Sequence, residues 1–264
     1  MTALYTPWGE QLDRTCPLPE YPRPQLRRDS YLCLNGLWDY TVEDGDEYSR
    51  RRSGKILVPF SPETPLSGVG HILQPDEYLW YRRSATLPEG FFRGGRLLLH
   101  FGAVDQRCTV WVNGQEAGSH TGGYLPFALD VTELIEGDAF TLELRVTDPT
   151  DTGSLSRGKQ RLKNTGIWYT PQSGIWQTVW MEAVDEEGLK SVFATPDIDQ
   201  QQLVIRPQFY GQNAANKLVV TLYDGKKEVA RKSVPCGDGS VVVLPVKGMK
   251  LWSPESPSLY GLKY

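Results

Sequence analysis

From residue 139 to 146 the chain reads AFTLELRV, with Phe140, Leu142, Leu144 and Val146 on one face of an extended backbone and Thr141, Glu143 and Arg145 on the other. Successive side chains of a strand point to opposite faces, so this period of two predicts a half-buried strand. LLLHF (97–101) and CTVWV (108–112) predict two more. IWQTVWMEAV (175–184) sets Ile175, Val179, Met181 and Ala183 on one face and Trp176, Thr178, Trp180 and Val184 on the other, a strand covered on both sides. Asn113-Gly114 follows CTVWV and predicts a two-residue type I′ turn, which needs positive φ at both central positions. Gly122-Gly123 then predicts a sharp change of direction before a strand in YLPFALD. Only DVTELIEGD (130–138) has a short helical pattern, with Thr132 as cap and Gly137 as stop. Many strands with turn residues between them and no interleaved helices indicate a β-sandwich or barrel.

The texture changes at DEEGLK (185–190), a charged, Gly-containing link. A second series of strands follows at 203–210, 217–234 and 241–246, with Asp224-Gly225 as a tight hairpin turn. The 264 residues therefore divide into a first domain, 1–184, and a second of about immunoglobulin size, 185–264. Residues 1–30, rich in Pro, Arg and Tyr, are expected to wrap the first domain as an arm or to be partly mobile. LYGLKY (259–264) reads as a strand just begun, so the second domain is expected to be truncated and the chain a fragment.

A net charge of −4 with only short basic clusters, Arg50-Arg51-Arg52 and Arg82-Arg83, argues against nucleic acid, which needs a concentrated basic footprint. No run reaches the ~20 apolar residues of a membrane span. MTALYTPWGE has no basic and apolar signal pattern, so a cytoplasmic location is expected. Cys16, Cys33, Cys108 and Cys236 show no metal or redox spacing and read as reduced, mostly buried thiols. His71, His100 and His120 make no zinc pattern, and no metal or cofactor is expected. Gly68-Val69-Gly70 begins like a dinucleotide fingerprint, but Leu73 stands where its third glycine belongs. Asp148 and Asp151 could pair as carboxylates, yet DPTDTG is ordinary turn chemistry. No nucleophile–base pair is visible, and no catalytic residue is assigned.

LNGLWDY (34–40), YLWYRRSATLP (78–88), LLLHFGAVDQRCTVWVNGQEAGSHTGGYLPFALDVTELI (97–135), RGKQ (157–160) and SGIWQTVWMEAV (173–184), in that order, together resemble glycoside hydrolase family 2, the β-galactosidases, β-glucuronidases and β-mannosidases. LWSPESPSLYGLKY (251–264) resembles a late part of that family's second domain. The resemblance implies a jelly-roll sugar-binding domain of the galactose-binding-domain type, then an immunoglobulin-like sandwich. In the family a (β/α)₈ barrel follows, with two glutamates that hydrolyse O-glycosidic bonds with retention. That barrel has no counterpart here, so the chain is expected to be inactive alone.

The same resemblance implies that loops of the first domain help shape the sugar pocket. Two regions stand at the corresponding positions: PDEY (75–78), with Glu77 and Tyr78, and the long connection 154–174. The latter carries Arg157, Lys159, Gln160, Asn164, Trp168 and Tyr169, side chains that hydrogen-bond hydroxyls or stack on a pyranose. The expected partner is a terminal β-linked sugar in the context of the parent enzyme, with homo-oligomers of that parent left open. Trp38, Trp111, Trp176 and Trp180 read as strand packing. Two other functions fit the residues: a free-standing carbohydrate-binding module, and a structural β-sandwich that binds protein through a sheet edge.

Overall fold

The computed structural model describes residues 4–23, 25–45, 50–91, 94–237 and 239–264; the side chains of Arg50 and Arg51, and with them most of that basic cluster, lie outside the description. The chain is all-β, and it separates into two compact units, Met1–Val184 and Asp185–Tyr264.

The first unit is a jelly-roll sandwich. Its strands are β1 (Tyr31–Cys33), β2 (Gly36–Asp44), β3 (Arg50–Val58), β4 (Glu77–Thr86), β5 (Arg96–Phe101), β6 (Val104–Asp105), β7 (Arg107–Val112), β8 (Gln115–Thr121), β9 (Phe127–Asp130), β10 (Ala139–Thr147), β11 (Gly174–Ile175) and β12 (Val179–Val184). One sheet has the order β1-β12-β5-β9, the other β3-β2-β4-β10-β7-β8, and β11 pairs with β6. The pairings are antiparallel, so every second residue of each strand faces the partner sheet. Trp38, Tyr81, Leu142 and Leu144 from the six-stranded sheet meet Leu97, Leu99, Phe101 and Met181 from the four-stranded one in a single apolar core. Each such side chain contributes roughly 1.5–3 kcal/mol by leaving water. Trp38 also satisfies its ring N–H by donating to Leu34 O, 2.9 Å away.

AFTLELRV behaves as its alternation predicts: Phe140, Leu142, Leu144 and Val146 are buried and the residues between them are not. At the β7–β8 turn Asn113 and Gly114 both have positive φ, 50° and 79°. The Asn113 side chain bridges outward, donating to Leu134 O and accepting from Thr141 N.

Four local expectations need correction. Residues 130–138 form only a 3₁₀ turn, Thr132–Leu134. Thr132 does not cap it, because its hydroxyl accepts from Leu97 N and donates to Asp130. The 175–184 run is two strands, since Trp176 leaves the ladder to donate its ring N–H to Gly123 O at 2.7 Å. In the second unit the hairpin centre is Gly225-Lys226, with Asp224 still paired to Lys227, and of the two central residues only Gly225 has positive φ. All four cysteines are free, but only Cys108 and Cys236 are buried.

Residues of the N-terminal arm pack on the first unit. Asn35 donates to Pro17 O at 3.0 Å, and Tyr21, Arg23 and Arg28 converge on the fully buried carboxylate of Glu182, which His100 Nε2 also approaches to 3.0 Å. Burial alone would raise the Glu182 pKa, but these hydrogen bonds and charges outweigh it and hold it down at about 2.

The second unit is an immunoglobulin-like sandwich of two three-stranded sheets. One is β13 (Leu189–Asp197), β14 (Gln202–Phe209) and β17 (Val242–Pro245); the other is β16 (Lys227–Pro235), β15 (Lys217–Asp224) and β18 (Gly261–Lys263). Ile205, Val220, Leu222, Val242 and Leu244 fill the space between them.

Candidate functional site

The long connection between β10 and β11 has its two feet tied together. Asp148, just after β10, accepts from Thr150 N at 2.7 Å and from the Ser173 hydroxyl at 2.8 Å. Ser173 N donates in turn to Glu63 Oε2 at 3.1 Å, and the other Glu63 oxygen accepts from Leu73 N at 3.3 Å. Asp105, at the end of β6 and opposite Gly174 in the ladder, is buried like Asp148, and with the half-buried Glu63 it makes a group of three carboxyls.

Burial sets the protonation of this group. It pushes Asp105 up to about 8, and the neighbouring Asp148 and Glu63 charges add to the effect. It pushes Glu63 up to about 7 against its backbone hydrogen bonds, and it raises Asp148 as well. Like charges confined in one low-dielectric site cannot all ionise, so the group retains protons at neutral pH. One oxygen of Asp105 is buried without a hydrogen-bond partner. Among the described residues no set of three or more His, Cys, Asp or Glu is arranged to hold a metal ion.

Two glycines make the closeness possible. A Cβ on Gly123 would stand 2.5 Å from the Asp105 carboxyl carbon. Gly174 has φ of +71°, and a Cβ there would collide with the Tyr81 hydroxyl, which accepts from Ile175 N at 3.2 Å.

Above this base the loop folds on itself. Tyr169 N donates to Lys159 O and Arg161 N to Tyr169 O, so 159–161 lies beside 169. The Gln160 side chain accepts from Gln172 N at 2.6 Å and reaches the Tyr124 hydroxyl at 3.4 Å. Asn164 donates to Thr170 Oγ1 at 2.7 Å, and Arg157 donates to Gly153 O at 3.2 Å. Arg161 lies over Trp168, its guanidinium carbon 3.7 Å from the ring centroid, within cation–π range. Gln106 fastens the outer part through Ser156 O at 2.9 Å. Lys159 is exposed, and Tyr169 turns 67% of its surface to solvent, beside exposed Ile167.

The loop candidates from the sequence thus sit together, with Gln160, Asn164 and Arg157 bonded within the loop or its rim, and Trp168 serving as the floor for Arg161. Glu77 and Tyr78 make their contacts elsewhere. Glu77 is fully buried and accepts from Gln74 N and from His71 Nε2, both at 2.8 Å, which shapes the turn before β4. Tyr78 lies under the Arg145 guanidinium, 5.3 Å from its ring centroid. Sequence reasoning missed Glu63, Asp105, Arg161 and Tyr124 and gave Asp148 a turn role only. Trp176 joins Tyr124, Trp180 and Arg23 in a groove of about 310 Å³ beside the loop.

Residues 70–181 match the sugar-binding domain of glycosyl hydrolases family 2. Over 93% of its length the chain is 26% identical to the β-glucuronidase of Sus scrofa, and over 92% it is 28% identical to that of Homo sapiens; each alignment takes in 42% of the relative. A β-galactosidase of Thermoanaerobacter pseudethanolicus is 27% identical over 88% of the chain and 32% of its own length. The fold is shared with a Ruminococcus gnavus β-glucuronidase, at a TM-score of 0.69 and 22% identity, over 92% of this chain and 42% of that one. The chain therefore spans less than half the length of these relatives.

Proposed function

We propose, on the premise that residues 70–181 are a family 2 glycosyl hydrolase sugar-binding domain, that this chain is the non-catalytic N-terminal part of a retaining β-glycosidase. The reaction would be hydrolysis of an O-glycosidic bond by two carboxyl groups about 5–5.5 Å apart, carried by a (β/α)₈ barrel. The 154–174 loop would close one side of the pocket for the terminal sugar. A single observation supports that role: the loop is fixed at its feet by buried hydrogen bonds while its rim offers Tyr169, Lys159 and Arg161 to a ligand. A rigid base under a polar and aromatic rim is what positions a ligand without a large ordering cost. Asp105 and Asp148 are buried, Glu63 is half-buried, and burial raises the pKa of all three, so on this reading they support the loop and take no part in bond cleavage. The relatives' names make β-glucuronides and β-galactosides the first substrates to try.

The 264-residue chain is expected to release no nitrophenol from 4-nitrophenyl β-D-glucuronide or β-D-galactoside; turnover above a blank overturns the non-catalytic assignment. In the full-length protein Tyr169→Ala should raise KM about ten-fold, the loss of one contact of about 1.4 kcal/mol. An unchanged KM removes the loop from the pocket.

The groove of Tyr124, Trp176, Trp180 and Arg23 favours a second reading, a carbohydrate-binding module that works without a barrel. Calorimetry showing micromolar binding of one sugar by this chain would select it; millimolar binding at best fits the first reading.

A further inference from the structure

A second recess lies on the outer face of the six-stranded sheet. It holds about 320 Å³, at the lower end of the volumes that take a small ligand. Strand register builds it. Thr147 stands opposite Arg107, and Arg107 opposite Thr121; in the next row Trp80 stands opposite Arg145, Arg145 opposite Thr109, and Thr109 opposite Ser119. Hydroxyl and guanidinium groups therefore lie side by side on one face of three adjacent strands, and Tyr78 forms one wall.

The two arginines are the informative pair. Arg145 is held by aromatic rings, its guanidinium carbon 5.3 Å from the Tyr78 centroid, 5.6 Å from Trp80 and 5.7 Å from Trp111. Trp80 and Trp111 are themselves stacked at 5.6 Å. Among the described residues neither Arg145 nor Arg107 has a carboxylate within ion-pair distance. They occupy diagonal positions on neighbouring strands, about 7–8 Å apart, where two like charges repel. Glu143, two residues before Arg145, is drawn away to Arg82 and does not line the recess. A protein of net charge −4 thus keeps two cations with no ion-pair partner among the described residues in one hydroxyl-rich hollow.

We propose that this recess is a binding site for an acidic sugar residue, with the carboxylate between Arg107 and Arg145, the ring against Tyr78, and the ring hydroxyls on Thr109, Ser119 and Thr121. Guanidinium groups match a carboxylate in geometry as well as charge, and charge-assisted hydrogen bonds are the stronger class. The site would anchor an acidic glycan away from the 154–174 loop, and it does not depend on the glycosidase reading.

Calorimetry on the 264-residue chain, with sodium D-glucuronate, D-glucose and sodium sulfate as separate titrants, tests it. Glucuronate should bind in the millimolar range and about ten-fold more tightly than either control, since only it carries both charge and ring hydroxyls. Arg107→Gln, an exposed position where folding is not at risk, should lose about ten-fold of that affinity, while Lys55→Gln, an exposed charge removed from the same sheet outside the recess, leaves it unchanged. Arg145→Gln should behave like Arg107→Gln, with its melting curve as a control for folding. Equal binding of sulfate reduces the site to an adventitious anion pocket and overturns the proposal. No glucuronate binding overturns it too, as does binding that survives Arg107→Gln. Loss in Tyr169→Ala alone would move the ligand to the loop and leave that reading standing.

Discussion

The Ser173 hydroxyl donates to Asp148 Oδ2 across 2.8 Å, and through that bond the two ends of a loop running from 149 to 172 meet. The same serine's backbone N–H holds Glu63, so one residue links both feet of the loop to the turn at 63–73. Ser173→Ala leaves the Oδ2 oxygen of buried Asp148 without the donor it has here, while Oδ1 keeps Thr150 N, at a cost of about 1–3 kcal/mol. The loss should be local. Hydrogen exchange is expected to show faster exchange at 154–172 with little change in β4 or β10, and uniform exchange across the unit would argue against a clamp.

The three carboxyls make stability depend on pH. Asp105 and Glu63 have folded pKa values raised to about 8 and about 7, so between pH 4 and 8 the folded chain holds more protons than the unfolded one. The stability they lend is complete below pH 4 and is lost as pH rises through 7 to 8. The melting temperature of the first unit should therefore fall between pH 5 and pH 9. Each kcal/mol lost corresponds to about 2–4 °C for a unit of this size. Asp105→Asn, neutral throughout, should flatten the slope; an unaltered slope would place the titrating groups elsewhere.

Glu182 responds in the opposite direction. Its pKa is depressed to about 2, so its contribution is present above the ordinary glutamate range and is lost only as pH falls toward 2. Glu182→Gln strands Arg23 beside a neutral group and weakens the hold on Arg28, and should cost about 3–5 kcal/mol. The arm should then detach before the sandwich unfolds, seen as faster tryptic cleavage after Arg27 and Arg28 at neutral pH.

Gly174→Ala should be the most damaging single change at the loop. It demands a side chain at φ of +71° and drives it into the buried Tyr81 hydroxyl. Strain and overpacking each cost about 1–3 kcal/mol, and the soluble yield should drop sharply. Pairing it with Tyr81→Phe removes the clashing oxygen and should recover part of the loss; no recovery would mean that the backbone strain dominates.

Much of the sandwich was legible because it is written locally. The alternation at 139–147 and the Asn113-Gly114 turn each depend on residues within a few positions of one another, and the structure follows them. The 3₁₀ turn at 132–134 departs from its helical pattern because tertiary partners, Leu97 N and Asp130, take the Thr132 hydroxyl that a helix cap would use. The candidate loop could be located by its length and side-chain types. Its base could not: Glu63, Asp105 and Asp148 are far apart in sequence, and each sits in turn-like surroundings that read as solvent-facing. Glu77 shows the same limit in reverse, a charged residue in an exposed-looking PDEY segment that folding buries completely. Burial of a carboxyl is decided by what packs over it, here Gly123 and the 71–74 turn, and no periodicity records that.

Fixed feet give the loop a further property. Its internal bonds, 159 to 169, 160 to 172 and 164 to 170, close within the segment, and closing a flexible segment costs little more as it lengthens. Residues 151–172 thus form a cassette between two clamped posts. Such a segment can be exchanged or extended while the sandwich beneath keeps its core, so the side chains it presents can change without a matching change in the scaffold.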